Sequence, residues 1–260
     1  MKVLAILGSH RKKGNTTKIA KILEDNLKTL DHVEFEYLYL LDYELLDCTG
    51  CITCIERGED KCPLKDDRPI IQQRIADADG IIFISPVYTF HVTALMKKFF
   101  DRFSFLIHRP RFFNKKALTI SLAGGPDKNA REYMAKNAKA WGMNVVLTHS
   151  TIAHQDALRP KYKKKNEKGL RDAAKKFYKN LIKNKTPKPS IGNLMWFKMW
   201  QLNALVNKEG IPADYAYWSE KGWFSSRYYY HVKINFFNRA ISNMLFMLVK
   251  RFMHSVYINY

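Results

Sequence analysis

A chain of 260 residues, 47% of them hydrophobic, can bury a large core, and this composition excludes a wholly disordered protein. The formal net charge of +20 is concentrated between residues 157 and 190, where thirteen Lys or Arg accompany two acidic residues. Such a segment could contact phosphates or anionic lipid, or attract acidic electron donors and phosphorylated nucleotides. A solvated helix face followed by a linker is the simpler interpretation.

The N-terminus indicates a cytoplasmic protein. The apolar run in "MKVLAILG" is too short for a signal peptide and no small-residue cleavage site follows it. No stretch reaches the roughly 18 apolar residues that a membrane-spanning helix needs. Cytoplasmic thiols stay reduced, so four cysteines within residues 48–62 favour metal binding or catalysis over structural disulfides.

Strand-like and helix-like segments alternate along residues 1–184. The apolar runs that predict strands are "KVLAILG", "VEFEYLYL", "GIIFISP", "KKALTISLAGG" and "NVVLTHSTI", and helical spacing separates them. This rhythm predicts an α/β protein with a doubly wound, five-stranded parallel sheet in the order 2-1-3-4-5. The loops that follow the strands emerge at one edge of such a sheet. We therefore expect the loops at residues 8–16, 47–67, 85–91 and 123–127 to face one another.

The loop after the first strand has the residues of an anion site. "GSHRKKGNTT" places hydroxyl, amide and backbone N–H groups at a predicted helix start, and its glycines allow a tight fold. The spacing is neither the G-x-G-x-x-G of dinucleotide sites nor the G-K-[ST] of triphosphate loops. Alone, it could be only a turn and a helix cap.

The loops after the third and fourth strands suit a flat, polar-edged ring system. In "SPVYTF" Pro86 restricts Ser85, while Val87, Tyr88 and Phe90 offer apolar surface beside backbone amides. The glycines of "AGGPD" permit close backbone approach to a ligand. The alternative is a turn with core aromatics.

Together, "GSHRKKGNTT", "CTGCITCIERGEDKCPLKDD", "SPVYTFHVTALMKKFFDRF" and "AGG" resemble the NADPH-dependent FMN reductase-like family of the flavodoxin-like superfamily, especially its iron–sulfur flavoproteins. The resemblance covers residues 1–185. It implies a flavodoxin-like fold, and an FMN phosphate held by Ser9, Arg11, Asn15, Thr16 and Thr17. The ribityl chain and flavin ring would contact Pro86, Val87, Tyr88 and Thr89, with Ala123, Gly124 and Gly125 closing the other side. His10 and His91 depart from the usual pattern, and neither receives a catalytic role.

All four cysteines lie in one loop with the spacing C-x2-C-x2-C-x7-C: Cys48, Cys51, Cys54 and Cys62. Thiolates at this spacing can wrap a [4Fe-4S] cluster, although ferredoxin-type runs have a shorter last gap. Four thiolates also suit tetrahedral zinc. By resemblance, iron–sulfur flavoproteins tolerate a variable last gap, whereas other relatives carry a similar loop ending in "KDD" with no cluster established. Cluster, zinc and thiols without metal all remain open.

Residues 186–260 form a C-terminal extension that is helical and rich in aromatic residues. An apolar stripe on its last helix, flanked by Lys233, Arg239, Lys250 and Arg251, must be covered. Its members are Ile234, Phe237, Ile241, Met244, Leu245, Leu248, Phe252 and Val256. Packing on the same chain or in a homodimer is expected. A substrate lid and docking on a membrane surface are the alternatives. The aromatic segment "DYAYWSEKGWFSSRYYYH" could reach toward the flavin.

The sequence thus predicts an FMN-dependent oxidoreductase, with domains at residues 1–185 and 186–260. The expected electron donor is NAD(P)H, or ferredoxin if a cluster is present, and no side chain is needed as an acid or base. One rival is a flavodoxin-like electron carrier, against which the charge of +20 argues. Another is a membrane-binding or nucleic-acid-binding protein on the same scaffold; no nucleic-acid partner is expected.

Overall fold

The structure is a computed structural model, and it describes residues 1–125, 127–153, 157–183 and 185–256. The side chains of residues 253, 254 and 256 are not described. The chain forms two compact units. The first contains residues 1–49 and 64–185, and the second contains residues 50–63 and the chain from residue 186 onward. Nothing in the sequence pointed to the membership of residues 50–63 in the second unit.

The first unit is built on one sheet. Its strands are β1 (Lys2–Leu7), β2 (Glu34–Tyr39), β3 (Gly80–Tyr88), β4 (His91–Val92), β5 (Lys116–Ala123) and β6 (Asn144–Ile152). Five strands are parallel in the order β2-β1-β3-β5-β6, which confirms the predicted flavodoxin-like order. The short strand β4, which the sequence did not predict, pairs antiparallel with β3 alone.

Helices connect the parallel strands and continue through the second unit. They are α1 (Asn15–Lys28), α2 (Thr53–Glu56), α3 (Arg68–Asp77), α4 (Ala94–Arg102), α5 (Phe105–His108), α6 (Asn129–Ala140), α7 (Pro160–Lys183), α8 (Ile191–Val206), α9 (Pro212–Glu220) and α10 (Phe236–Val256). Two helices, α4 and α5, lie between β4 and β5. Helix α7 begins at Pro160, and proline suits the first helical position. Among the described helices, none has the length and apolar character that crossing a membrane requires.

The core lies on both faces of the sheet, as the alternation along β3 shows. Ile82 and Ile84 belong to a buried cluster that includes residues of α1 and α7. Phe83 points to the opposite face and contacts Phe100 of α4, with ring centroids 5.6 Å apart, and Trp141 after α6, at 6.2 Å. This two-sided burial explains why the strands are continuously apolar.

The second unit has a small aromatic core of its own. Phe197 of α8 lies 5.5 Å from Trp218 of α9, and Trp218 lies 5.0 Å from Trp223. The Trp223 indole donates a hydrogen bond to the Tyr229 carbonyl at 3.0 Å. The aromatic segment predicted to reach toward the flavin therefore supplies the core of this unit. At the start of α8 a capping box joins Ser190 and Asn193.

Candidate functional site

A cavity of about 740 Å³ opens in the first unit at the carboxyl ends of the parallel strands. Its walls come from the loop after β1 and the start of α1, from the carboxyl ends of β3 and β5, and from the segments directly after β5 and β6. The switch point between β1 and β3 lies here, since these neighbouring strands lead to helices on opposite faces. Ligands of open α/β sheets bind at this place. The structure thus brings together three of the four loops that the sequence singled out.

One end of the cavity has the chemistry of an anion site. Ser9 is buried, and its Oγ accepts a hydrogen bond from the Arg11 amide at 3.2 Å. Helix α1 begins directly afterwards, with Gly14 in an extended conformation, and no described side chain caps it. The first turn of α1 contains no acidic residue, so its N–H groups and positive dipole end favour an anion.

Two buried hydroxyl groups, of Ser85 in β3 and of Thr93 after β4, connect this part of the chain to the loop after β1. The Thr93 hydroxyl donates to the Gly8 carbonyl at 2.7 Å, and the Thr93 amide donates to Ser85 Oγ at 3.3 Å. Thr93 also caps α4 by accepting from the Met96 amide at 3.1 Å. A Cβ at Gly8 would lie 2.8 Å from Met96 Cβ, so only glycine fits this approach.

The sequence alone did not predict this connection. The sequence contains one relevant signal, Thr93 in "VTALMKK", because a threonine that directly precedes an apolar helix predicts an N-cap. The bond to Gly8, which lies 85 residues earlier in the chain, had no signal of its own.

Strands β3 and β4 form a tight hairpin with a strained turn. Val87 pairs with Val92 and Tyr88 pairs with His91, so Thr89 and Phe90 form the two-residue turn. Both have positive φ angles, 49° and 62°. Such turns normally contain Asn or Gly, because a side chain at positive φ is strained. The turn leaves the Phe90 ring 81% exposed, and Tyr88 beside it lines the cavity.

The loop after β5 leaves space on the other side of the cavity. A Cβ at Gly124 or at Gly125 would meet no atom within 4 Å, so protein packing does not require glycine at either position. Gly124 lines the cavity together with Ala123. The Ala123 carbonyl accepts from the Ala153 amide at 2.7 Å, which ties this wall to the loop after β6.

Most of the residues that the resemblance nominated lie on the cavity wall. They are Ser9, Arg11, Asn15, Thr16, Pro86, Val87, Tyr88, Ala123 and Gly124. Thr17, Thr89 and Gly125 are absent from the described lining. Thr17 instead borders a second cavity, and its buried Oγ1 has no hydrogen-bond partner among the described residues. Lys13, Lys18, Leu122 and Ala153 line the main cavity without having been predicted.

His91, which follows the strained turn, packs against the protein. Its ring contacts Tyr133 of α6, with centroids 4.5 Å apart. Burial raises the pKa of Tyr133 to about 12, so this phenol stays protonated near neutral pH. Neither side chain is among the described residues that line the cavity.

The "KDD" sequence after the last cysteine closes the base of the cysteine loop. Asp66 forms a buried ion pair with Arg102 of α4, with Oδ2 2.8 Å from Nε and Oδ1 2.9 Å from Nη2. Asp66 also accepts from the Leu46 amide at 3.0 Å, and Asp67 accepts from the Glu44 amide at 2.8 Å. Burial opposes ionisation of Asp66, but the hydrogen bonds from Arg102, Leu46 and Arg68 outweigh it and lower its pKa.

The four cysteines are divided between the two units. Cys48 belongs to the first, whereas Cys51, Cys54 and Cys62 belong to the second. Cys48 and Cys51 are exposed and Cys62 is buried. Within the described part of the chain, no three His, Cys, Asp or Glu side chains lie in an arrangement that could hold a metal ion.

Comparison with known proteins agrees with this geometry. Residues 1–158 match the family described as NADPH-dependent FMN reductase. An iron-sulfur flavoprotein from Archaeoglobus fulgidus is 32% identical over 238 residues, covering 86% of this chain and 100% of the relative. One from Methanosarcina thermophila is 32% identical over 155 residues, covering 58% and 79%. The alignment with the Archaeoglobus fulgidus protein covers 86% of this chain, which is more than residues 1–185 comprise. It therefore extends into the C-terminal region.

The solved structures contain the same fold. A flavone reductase superimposes with a TM-score of 0.55 over 70% of this chain and 63% of its own, at 16% identity. At that identity the similarity concerns the fold alone.

Proposed function

This chain belongs to the NADPH-dependent FMN reductase family, and from that premise we propose that it is an FMN-dependent oxidoreductase that passes electrons from NAD(P)H or ferredoxin to an acceptor of unassigned structure. One observation carries the proposal. A single cavity at the sheet edge joins an uncapped helix N-terminus to an apolar wall with open space beside Gly124. A ligand with a phosphate group on a chain attached to a flat ring system needs both of these features.

The phosphate end is assigned to the loop after β1. Ser9, Asn15 and Thr16 supply neutral polar groups, Arg11 supplies a positive charge, and α1 directs its first N–H groups to the same place. Hydrogen bonds to a charged ligand are stronger than those between neutral groups. The side chain of Thr17 has no assigned contact, because its Oγ1 is buried away from this cavity.

The ring end is assigned to the carboxyl ends of β3 and β5 and to Gly124, which follows β5. Pro86, Val87 and Tyr88 form one wall, while Ala123 and Gly124 form the other. Bound FMN supplies a centre that exchanges either a hydride or single electrons. The contribution of the chain is to hold the ring between these walls, to exclude water from its faces and to fix its orientation through the Gly8–Thr93–Ser85 hydrogen bonds.

Positive charge at the rim of the cavity supports the proposal that the electron donor carries phosphate groups. Arg11, Lys13 and Lys18 line the cavity, and a cluster of positive charge raises the local concentration of anionic nucleotides. Adding NADPH, NADH or reduced ferredoxin in turn to the anaerobic FMN-loaded protein, and following loss of the oxidised flavin absorbance, identifies the donor.

A flavin titration tests the phosphate assignment. Replacing Ser9 and Thr16 together (Ser9→Ala, Thr16→Ala) removes two hydroxyl partners of a charged ligand, each contributing about 1.5–3 kcal/mol. FMN affinity is therefore expected to fall at least about tenfold. The matched control is Thr17→Val, which removes a hydroxyl from the adjacent position and keeps the shape of the side chain. This control should retain the parental affinity. Unchanged affinity in the double variant would place the phosphate elsewhere.

The cysteine loop carries a separate proposal, that it holds an iron–sulfur cluster. The C-x2-C-x2-C-x7-C spacing and the names of the relatives support it, whereas the positions of the thiols do not. Electron transfer from NAD(P)H to the flavin does not require this cluster, whereas ferredoxin is the expected donor only if the cluster is present.

A further inference from the structure

Helix α10 presents its more apolar face to solvent. The face toward α8 carries Arg239, Ser242, Phe246 and Val249, which are buried or half-buried. The opposite face carries eight large apolar side chains that are 36 to 71% exposed: Phe236, Phe237, Ile241, Met244, Leu245, Met247, Leu248 and Phe252. This face includes most of the predicted stripe, so the chain itself does not cover these residues, and their packing in a homodimer stays a prediction. Monomeric proteins rarely expose so continuous an apolar surface without a binding role.

The charge around α10 has one sign. From Lys221 to the end of the sequence there are six Lys or Arg residues and no Asp or Glu. Lys250 and Arg251 are exposed on α10 itself, and Lys233 is exposed just before it. Any surface that covers the apolar face therefore also meets positive charge with no acidic residue in the segment to balance it.

A cationic cavity lies beside the helix. It has a volume of about 410 Å³ and lies between α8, α10 and the connecting segment. Its charged lining residues are Lys198, Arg227 and Arg239, and no Asp or Glu is among its described lining residues. Burial lowers the pKa of Lys198, whose Nζ contacts the Asn243 side chain. Three cations without an acidic partner in the cavity suit a phosphate group.

We propose that α10 docks through its exposed apolar face onto an anionic phospholipid surface, with lipid phosphates paired to the neighbouring Lys and Arg side chains. Phe, Leu and Met side chains on one face of a helix with cations at its borders are the pattern of helices that lie at the membrane interface. Anionic lipid supplies both an apolar layer and the negative charge that this segment lacks.

A second copy of the chain is the competing occupant, and charge disfavours it. If α10 packed through this face on α10 of another copy, Lys250 and Arg251 would meet the same cations in a segment without acidic residues. The proposal differs from the assigned oxidoreductase activity, because the residues that carry it lie in the second unit and those of the flavin cavity lie in the first.

Vesicle sedimentation with the full-length FMN-loaded protein tests the proposal. The protein should pellet with vesicles of phosphatidylcholine and phosphatidylglycerol in equal parts, and should stay in the supernatant with pure phosphatidylcholine. Phe237→Ser with Leu248→Ser should weaken the partition at least about tenfold, because binding scales with buried apolar area. Both side chains are exposed, so circular dichroism should show an unchanged fold. Lys250→Glu with Arg251→Glu should weaken binding to a similar extent.

The matched charge control is Lys163→Glu with Lys164→Glu on α7, where both side chains are exposed and outside the proposed surface. This variant should bind anionic vesicles within about twofold of the parent, since the apolar face is intact. An equal loss in both charge variants would overturn the proposal in favour of general charge attraction. Light scattering without vesicles tests whether a second copy of the chain covers the apolar face. A dimer that becomes monomeric in the Phe237→Ser, Leu248→Ser variant, together with no binding to anionic vesicles, would also overturn it.

Discussion

At the scale of single residues, the ion pair between Asp66 and Arg102 anchors the loop that carries the cysteines. The two side chains are 1% and 3% exposed, and Asp66 also accepts backbone N–H groups from both sides of the loop. A carboxylate in this position has almost no access to water, so its charge depends on these partners. The "KDD" sequence is therefore structural at Asp66, independently of any metal.

Removing that carboxylate should destabilise the fold strongly. Asp66→Asn removes the negative charge that is paired with the buried Arg102 guanidinium, and we expect a loss of roughly 3–5 kcal/mol in the free energy of unfolding. Asp67→Asn is the matched control, since Asp67 is half-buried and accepts one amide; it should cost about 1 kcal/mol. Urea unfolding followed by circular dichroism measures both. Equal, small losses would contradict the argument.

The same pair makes a pH-dependent contribution to stability. Because the folded-state pKa of Asp66 is lowered, its contribution is complete above the ordinary aspartate pKa of about 3.9 and is lost as the pH falls through the folded value. The stability difference between the parent and Asp66→Asn should thus be full near neutral pH and shrink below about pH 4.

At the scale of elements, the β3–β4 hairpin combines a strained turn with a position at the cavity. β-branched Thr89 and aromatic Phe90 both adopt positive φ, which costs on the order of 1–3 kcal/mol per residue. The pairing of Val87 with Val92 and the Thr93 hydrogen bonds hold the turn in this conformation. The strained turn lowers the stability of the fold at the edge of the site, where Tyr88 lines the cavity. Such a local loss of stability is typical of segments that serve a function.

Replacing the turn with Thr89→Asn and Phe90→Gly should raise stability. Asn-Gly is the preferred pair for a two-residue hairpin of this type, and a gain on the order of 1 kcal/mol is expected in urea unfolding. Phe90→Ala is the control, because it removes the ring while keeping a side chain at positive φ. A control that gains as much as the double variant would show that the exposed ring, and not backbone strain, is the cause.

At the scale of the whole molecule, the candidate flavin site and most of the cysteines lie in different units. The cavity assigned to FMN lies entirely in the first unit, whereas three of the four cysteines belong to the second. Substitutions in the cysteine loop should consequently affect metal content without affecting flavin content.

Elemental analysis of anaerobically prepared protein measures the metal. A cluster predicts about four iron atoms and four sulfides per chain, and Cys54→Ala should lose them while retaining FMN. Thr49→Ala, an exposed substitution in the same loop, should keep the parental iron content. Zinc in place of iron, or less than about one iron per chain after reconstitution, would rule out the cluster.

The sequence by itself determined the parallel sheet, its strand order and the loops that form the cavity. These features depend on local patterns: continuous apolar runs, helical spacing between them and a helix start rich in hydroxyl groups. Once the order is set, the geometry of a doubly wound sheet brings the carboxyl ends of the strands together. That is why Ser9, Pro86 and Gly124 could be grouped although they lie in three distant segments.

Only the tertiary structure decided the contacts between residues that are distant in the chain. The bond from Thr93 to Gly8, the Asp66–Arg102 pair and the grouping of residues 50–63 with the C-terminal segment have no local signature. The stripe on α10 shows the physical reason. Helical spacing tells which side chains share a face, but burial depends on what packs against that face. Here α8 packs against the more polar side, and the apolar side remains exposed.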